Sequence, residues 1–248
     1  MAIDLPILLR AYAVGLFPMA DDRQADSVFW VEPERRAILP LDGFHLSRSL
    51  RKTLRADRFE VTADTAFEQV IALCAESAED RPTTWINQDI EEAFIRLHRQ
   101  GLAHSVECWI GKGSERRLVG GLYGLALGRA FFGESMFSRA TDASKIAMAW
   151  LVARLRVGGF TLLDCQFMTP HLASLGAIEI SAQTYSILLG EALGDGAGDG
   201  AGVGVFSSLD ALPAAAPRSD EPRPGAATRT VSGPVSGQLI AQLITQTS

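Results

Sequence analysis

The sequence lacks the cysteine patterns that mark disulfide scaffolds and zinc sites. Its three cysteines, Cys74, Cys108 and Cys165, are scattered, and they form neither a CxxC pair nor a Cys/His spacing suited to zinc. An odd number of dispersed cysteines is typical of a reduced, cytoplasmic protein. We therefore expect no structural disulfide and no bound metal.

Long apolar runs and an excess of positive charge are missing as well. No stretch approaches the roughly eighteen apolar residues that a membrane helix needs. Asp4 and Arg10 interrupt the N-terminal segment, which argues against a signal peptide. The formal net charge of −6 gives no global sign of nucleic-acid binding, although local charge can differ from this average. A cytoplasmic protein that does not enter a membrane is the expectation.

Residues 1–60 are expected to form a small N-terminal α+β domain. The stretch ILLRAYAVGLFPM predicts a helix that ends near Gly15, and VFWVEPERRAILPL predicts two short strands around a proline turn. A second helix should begin after Ser47, whose side chain is a favourable N-cap. Its leucines, at positions 46, 50 and 54, are spaced to face inward.

The outer positions of that second helix are basic, with Asp57 the one acidic interruption. The basic residues are Arg48, Arg51, Lys52, Arg55 and Arg58. Such a stretch is more often an ordinary solvated helix face than a binding surface. In an acidic protein it is nevertheless a local positive face, so a nucleic-acid contact is the open alternative.

Residues 61–190 predict a second, mixed α+β domain. After a strand and two amphipathic helices, HSVECWIG, RLVGGLYGLALG and RAFFGESMF predict three strands of an antiparallel meander. A helix follows that Asp142 is expected to cap and that Gly158 and Gly159 end. The strands in GFTLLDCQF and AIEIS, with a short helix between them, complete a mixed sheet with helices packed on it.

The last part of the chain changes in composition. From residue 191 to 237 the sequence is rich in Gly, Ala and Pro and poor in large apolar residues, which predicts a disordered tail or linker. The final stretch, SGQLIAQLITQTS, predicts a short amphipathic helix that docks back on a domain. We therefore treat 191–248 as a third segment.

Three polar residues on apolar strands are the first candidates for chemistry. Glu134 lies between Phe132 and Met136, with which strand alternation predicts a shared face. Asp164 and Gln166 should likewise share a face of their strand, with Cys165 on the other. A satisfied structural network explains them as well as a ligand site does, because buried polar groups need partners in either case. If the two strands are close, all three line one cleft of the kind that binds small molecules.

Trp30 and Trp85 are the second clue. They precede a proline turn and a helix respectively, where core packing is less expected. Ordinary core tryptophans remain an alternative to surfaces that stack nucleic-acid bases.

Several motifs, taken in order over roughly residues 8–188, resemble those of the leucyl/phenylalanyl-tRNA–protein transferases. The residues that carry the resemblance are AYAVGLFPM, FWVEPERRAILPL, FHLSRSLRK, TWI, LHRQGLAHSVECW, LVGGLYGLALGRAFFGESMFSR, ASK, LLDCQ and HLASLGAIEI. The resemblance implies transfer of Leu or Phe from aminoacyl-tRNA to proteins that begin with Arg or Lys. The modified proteins then carry a destabilising N-terminal residue and are degraded. It also implies a catalytic domain like that of the acyl-CoA N-acyltransferases. An apolar pocket that accepts Leu and Phe need not reject Met strongly, because shape alone discriminates weakly.

The resemblance also assigns roles to individual residues. Gln166 and Asp164 would be the catalytic pair, and Glu134 would lie beside the aminoacyl ester. Phe131, Met136 and Leu163 would form the apolar pocket for the Leu or Phe side chain. Trp30 and Trp85 would flank the terminal adenosine of the tRNA. The tRNA phosphates would meet Arg48, Arg51, Lys52 and Arg55.

Two other functions remain alternatives. A coenzyme A-dependent N-acyltransferase needs a glycine-containing loop at a helix N-terminus to bind pyrophosphate, and the corresponding SRATDASK segment has no glycine. A non-catalytic adaptor would not need the polar strand residues Glu134, Asp164 and Gln166. We therefore expect an aminoacyltransferase without a cofactor, acting as a monomer on aminoacyl-tRNA and acceptor proteins.

Overall fold

The helices and strands are seen in a computed structural model that describes residues 2–76, 83–194, 202–212 and 235–245. The helices are α1 (Leu5–Ala13), α2 (Arg48–Arg55), α3 (Phe67–Ala75), α4 (Gln88–Arg99), α5 (Ala143–Val157), α6 (Pro170–Ser174), α7 (Ala182–Leu193) and α8 (Gly237–Leu243). The strands are β1 (Phe17–Met19), β2 (Phe29–Val31), β3 (Arg35–Ile38), β4 (Glu60–Ala63), β5 (Ala103–Ile110), β6 (Arg117–Leu127), β7 (Ala130–Ser138), β8 (Leu162–Gln166) and β9 (Ile178–Ser181). Within the four described ranges, no helix has both the length and the apolar character needed to span a bilayer.

A seven-stranded mixed sheet is the centre of the fold. Its strand order is β4-β5-β6-β7-β8-β3-β9, and β1 and β2 form a separate two-stranded ribbon. The meander β5-β6-β7 is antiparallel as predicted, and β8 adds to β7 in parallel. The predicted mixed α+β fold class is confirmed. Strand β3, from the first 60 residues, lies between β8 and β9, so the large sheet includes a strand of the N-terminal block, and the boundary at residue 60 stays a prediction.

Helices cover both faces of this sheet and give it two apolar cores. Residues of α1, α3, α4 and α7 form one core, and residues of α2, α5, α6 and α8 form the other. Helix α5 is the most enclosed, because 12 of its 15 residues are buried. A helix that is apolar all round is stable only where other elements surround it. Its Ser144, Met148 and Leu151 also line the cavity described below.

The C-terminal end of α5 agrees with the prediction, whereas its N-terminal end differs from it. Gly158 ends the helix as predicted. Asp142 occupies the N-cap position, but its side chain makes no capping hydrogen bond and its φ is +70°. Its carboxylate instead accepts a hydrogen bond from Thr53 Oγ1 of α2, at 3.3 Å. The predicted side-chain cap is therefore wrong, because the carboxylate is drawn to a neighbouring helix.

The predicted tail is ordered where the structure describes it. Helix α7 continues to Leu193, and a 3₁₀ turn at Phe206–Ala211 packs on the core through the buried Phe206 and Leu209. Arg154 on α5 donates to both carboxylate oxygens of Asp210, at 2.7 and 2.5 Å. Treating the whole of 191–237 as a disordered linker is thus wrong for residues 202–212, since two apolar side chains and one ion pair hold this turn. Within the predicted linker, residues 195–201 and 213–234 lie outside the described residues.

Close packing of β6 on β7 gives a first prediction. A Cβ atom on Gly124 would stand 2.3 Å from the carbonyl oxygen of Phe132, whereas Gly133, its cross-strand partner, has nothing closer than 3.5 Å. Overpacking typically costs about 1–3 kcal/mol. We expect Gly124→Ala to lower the free energy of unfolding by that amount in urea titrations. Gly133→Ala is the matched control, and an equal loss in both variants would contradict this packing.

Candidate active site

The site forms where two parallel strands stop pairing. Strands β7 and β8 are paired from Ala130 and Leu162 up to Phe132 and Asp164, and the pairing ends there. A cavity of about 800 Å³ opens beyond this point. Glu134 and Gln166 each lie two residues past the last pair, and both line the cavity. Ligands commonly bind at the carboxyl ends of parallel strands, because the sheet itself no longer fills that space.

A β-bulge places Glu134. The cross-strand partners are Gly124 with Gly133 and then Tyr123 with Ser135, so Glu134 is the extra residue of the pair. An extra residue reverses the alternation of side chains beyond it.

The bulge corrects one sequence expectation. Phe132 belongs to one core, whereas Met136 packs against the other. The predicted common face of Phe132, Glu134 and Met136 is therefore wrong. The bulge lets Glu134 and Met136 line the same cavity although Phe132 turns away from it.

Asp164 is fully buried and has several hydrogen-bond partners. Arg36 Nε and Nη2 donate to its two oxygens at 2.9 and 2.5 Å, and Tyr185 Oη donates to Oδ2 at 2.8 Å. The Arg36 guanidinium also lies over the rings of Phe17 and Tyr185, 4.8 and 4.4 Å from their centroids. Asp164 does not line the cavity. Its contacts suit a group that holds neighbours in place.

One of those neighbours is Gln166. Its backbone N–H donates to Asp164 Oδ1 at 2.8 Å, and its φ is +55°, in the left-handed region that a glutamine rarely adopts. Such strain persists only where the surroundings impose it, and it often occurs at functional sites. In this conformation the Gln166 side-chain amide donates to Glu134 Oε1 at 3.4 Å. Asp164 therefore holds the backbone turn that aims the Gln166 amide at Glu134.

Glu134 lies at the centre of the polar part of the cavity. Tyr12 Oη of α1 donates to its Oε1 at 2.8 Å, while Oε2 accepts no hydrogen bond from any residue in the described ranges. Burial raises the pKa of Glu134 to about 8; the nearby Asp164 adds to that rise, whereas the Tyr12 hydrogen bond and Arg36 oppose it. The pKa of Tyr12 is raised well above its ordinary value by burial and by Glu134. Near neutral pH, Glu134 is thus able to take up or release a proton.

Apolar side chains make up most of the cavity wall. Two of the three residues predicted for the apolar pocket, Met136 and Leu163, line it, as does Trp85. Phe131 does not; its ring packs between Phe160 and Phe206 in the core. Trp30 does not line the cavity either. It lies 39% exposed on the ribbon, paired with Pro18 and beside the cavity-lining Phe17 and Met19.

The four basic residues of α2 face solvent. They are Arg48, Arg51, Lys52 and Arg55. None of them forms an ion pair with another residue in the described parts of the chain. The Thr53–Asp142 hydrogen bond joins α2 to the start of α5, and Ser144 in the first turn of α5 lines the cavity. The structure therefore places this positive face next to α5, the helix whose first turn lines the cavity.

Sequence reasoning missed Tyr12, Arg36 and Tyr185. Arg36 left a signal, because strand alternation places it on the same face as Ile38, whose side chain is buried. A buried cation needs a buried anion, and Asp164 was a strand carboxylate without an assigned partner. The two tyrosines lie in amphipathic helices among ordinary apolar residues, so only the fold reveals their hydroxyl contacts. In the described parts of the chain, no group of three or more His, Cys, Asp or Glu side chains could hold a metal ion.

The raised pKa of Glu134 predicts how stability depends on pH. From its ordinary value of 4.5 up to about 8, the folded chain holds a proton on Glu134 that the unfolded chain has lost. Stability should therefore fall as pH rises through this window, by roughly 1.4 kcal/mol for each unit of the difference in pKa. Glu134→Gln should remove much of this fall. Urea unfolding at pH 5.5 and pH 8.5 tests it, with the exposed Glu179→Gln as control, and an unchanged pH dependence in Glu134→Gln would refute the assignment.

Comparison with known proteins places the chain in a family. The family profile described as leucyl/phenylalanyl-tRNA protein transferase matches residues 38–190, and the profile of that family's N-terminal domain matches residues 1–34. A leucyl/phenylalanyl-tRNA–protein transferase of Rhizorhabdus wittichii is 61% identical over 250 residues, covering 100% of this chain and 99% of its relative. A second relative, from Phenylobacterium zucineum, is 51% identical, and the match covers 97% of this chain and 96% of that relative.

Among solved structures, FemX resembles the chain with a TM-score of 0.48 and 11% identity, over 71% of this chain and 66% of FemX. The two family profiles match residues 1–34 and 38–190, whereas the full-length relatives match along almost the whole chain, and the motifs identified from the sequence lie within the residues that these relatives match. The chain therefore belongs to the leucyl/phenylalanyl-tRNA–protein transferase family.

Proposed function

We propose that this enzyme transfers Leu or Phe from the 3′ end of an aminoacyl-tRNA to the α-amino group of a protein that begins with Arg or Lys, which is then degraded. One observation carries the proposal: a carboxyl group and a carboxamide, Glu134 and Gln166, meet in an otherwise apolar cavity. Aminolysis of an ester needs an apolar place for the acyl side chain and polar groups at the reacting atoms. Both are present in this one cavity.

The donor side chain is proposed to enter the apolar part of the cavity. Met136, Met148, Leu151 and Leu163 line it with flexible or branched side chains. Methionine adapts its shape to different ligands, which suits a pocket that accepts both Leu and Phe. Shape alone discriminates weakly among apolar groups of similar size, so Met is an expected minor substrate. Trp85, and Trp30 on the ribbon, are proposed to stack on the terminal adenosine.

The chemical step joins the amine to the acyl group. The neutral α-amine of the acceptor attacks the ester carbonyl carbon, and a nitrogen–carbon bond forms. The bond between that carbon and the ribose oxygen then breaks, and the ribose leaves as a free hydroxyl. The proton that nitrogen loses balances the one that the ribose oxygen gains. A group able to exchange protons near neutral pH is the suitable carrier.

Glu134 is proposed to carry that proton. Its pKa of about 8 lies near the working pH, and its Oε2 atom is available while Tyr12 and Gln166 hold Oε1. Gln166 orients the amine or the carbonyl with its side-chain amide and helps to stabilise the oxyanion. Asp164, which does not reach the cavity, acts by holding Gln166 rather than by taking a proton.

The exposed cations of α2 are proposed to bind tRNA phosphates. Aminoacyl-tRNA is made in the cytoplasm, so the enzyme should work there, as a monomer.

A coenzyme A-dependent reaction fits less well, because the Asp142 carboxylate stands at the N-terminus of α5, where a pyrophosphate would bind. Its negative charge would oppose that ligand.

The proposal is tested by transfer of radiolabelled leucine from leucyl-tRNA to a model protein. The acceptor begins with Arg in one assay, and with Ala in the other. We expect transfer to the Arg acceptor only, and Gln166→Ala to lower its rate by about 100-fold or more, the scale of loss seen for groups that orient and stabilise the transition state.

Gln183→Ala, an exposed glutamine on α7, is the matched control and should transfer at the wild-type rate. Equal transfer to both acceptors would overturn the proposed acceptor specificity. Full activity in a folded Gln166→Ala variant would overturn the proposed role of Gln166.

A further inference from the structure

Helix α2 has little to keep it helical on its own. It has eight residues, of which only Leu50 and Leu54 are buried. Isolated helices of this length are marginal in water. Its four exposed cations stand three or four positions apart, and like charges at these spacings repel one another. The shape of this positive face therefore depends on what packs behind the helix.

Helix α8, near the C-terminus, supplies much of that support. It packs on both α2 and α5. Ile240, Ala241 and Ile244 at this end of the chain are 0%, 4% and 3% exposed, so the C-terminal segment is firmly seated. In sequence, residues 213–234 precede this C-terminal segment. The chemical step proposed above gives the C-terminal segment no role.

Two contacts fix where α8 meets the end of α2. The Gly237 N–H donates to Asp57 Oδ1 at 2.7 Å, just beyond the last turn of α2. The backbones also approach closely there, since a Cβ atom on Gly237 would stand 2.0 Å from the carbonyl oxygen of Leu54. Asp57, the one acidic residue in the basic stretch, thus has a structural partner. Its carboxylate binds α8.

We infer that α8 is a brace whose buried face holds α2 in position to bind tRNA. The inference rests on the proposed function. The brace acts through α2 and touches no reacting atom, so Gly237, Asp57 and Ile240 are positioning residues. Without the brace, interactions with the body of the tRNA should weaken, while chemistry in the cavity should be unaffected.

Two donors separate these effects. Leucyl-tRNA contacts α2 through its phosphates, whereas the leucyl ester of adenosine has no phosphate group and cannot make this contact. We expect Gly237→Ala to raise KM for leucyl-tRNA about tenfold, with kcat within twofold, and to leave transfer from leucyl-adenosine unchanged. The dependence of tRNA affinity on salt should also weaken, by about one unit of slope for each phosphate that α2 no longer neutralises. Gln238→Ala, exposed on the same helix, is the matched control and should change none of these values.

Direct binding of deacylated tRNA, followed by fluorescence anisotropy, separates this inference from the proposed function. A wild-type enzyme that neither binds tRNA nor transfers leucine contradicts the function itself. An active wild type with an unchanged KM in Gly237→Ala overturns only the brace, as does an equal decrease in transfer from both donors. If circular dichroism shows Gly237→Ala unfolded at the assay temperature, Ile240→Ala, which removes buried apolar surface without a clash, takes its place under the same criteria.

Discussion

The buried ion pair between Arg36 and Asp164 is the interaction on which the site depends. It joins β3, from the N-terminal part of the chain, to β8, and Tyr185 adds α7 to the same cluster. Removing one partner of a buried pair costs roughly 3–5 kcal/mol, whereas a surface pair contributes at most about 1 kcal/mol. Asp164 also accepts a hydrogen bond from the backbone N–H of Gln166. The same carboxylate therefore connects β3, β8 and α7, and it holds Gln166 in its strained backbone conformation beside the cavity.

The cavity follows from two local departures from regular sheet geometry. Pairing of β7 and β8 ends after Phe132 and Asp164, and a bulge then inserts Glu134. A regular sheet would continue the hydrogen bonds and leave no room for a substrate. Ending the pairing opens the space, and the extra residue aims a carboxyl group into it. The apolar surroundings then raise the pKa of Glu134 to the range in which it is useful for proton transfer.

The chain is acidic as a whole, yet helix α2 presents a basic face to solvent. The net charge of −6 is an average over the chain, while the exposed face of α2 is positive. The one carboxylate in that stretch, Asp57, accepts a hydrogen bond from the backbone of α8. Residues 202–212 lie within the segment whose composition predicts a disordered tail, yet they pack on the core, because a few apolar side chains suffice to anchor them. The C-terminal stretch, for which the sequence predicts a short docking helix, packs on the core as α8.

Local patterns in the sequence determined much of the secondary structure: the meander, the helix ended by Gly158, and the inward leucines of α2 follow from periodicity and turn residues. The motifs also identified Glu134, Asp164 and Gln166 as the polar residues of interest. Only the tertiary structure decided which of them meets the cavity. Strand alternation cannot foresee a bulge, which depends on pairing with β6, and it misplaced Glu134 relative to Met136. Nor can it find partners far apart in sequence: Tyr12 is 122 residues from Glu134, and Arg36 is 128 from Asp164. Those contacts exist because the sheet brings the first strands of the chain beside β8.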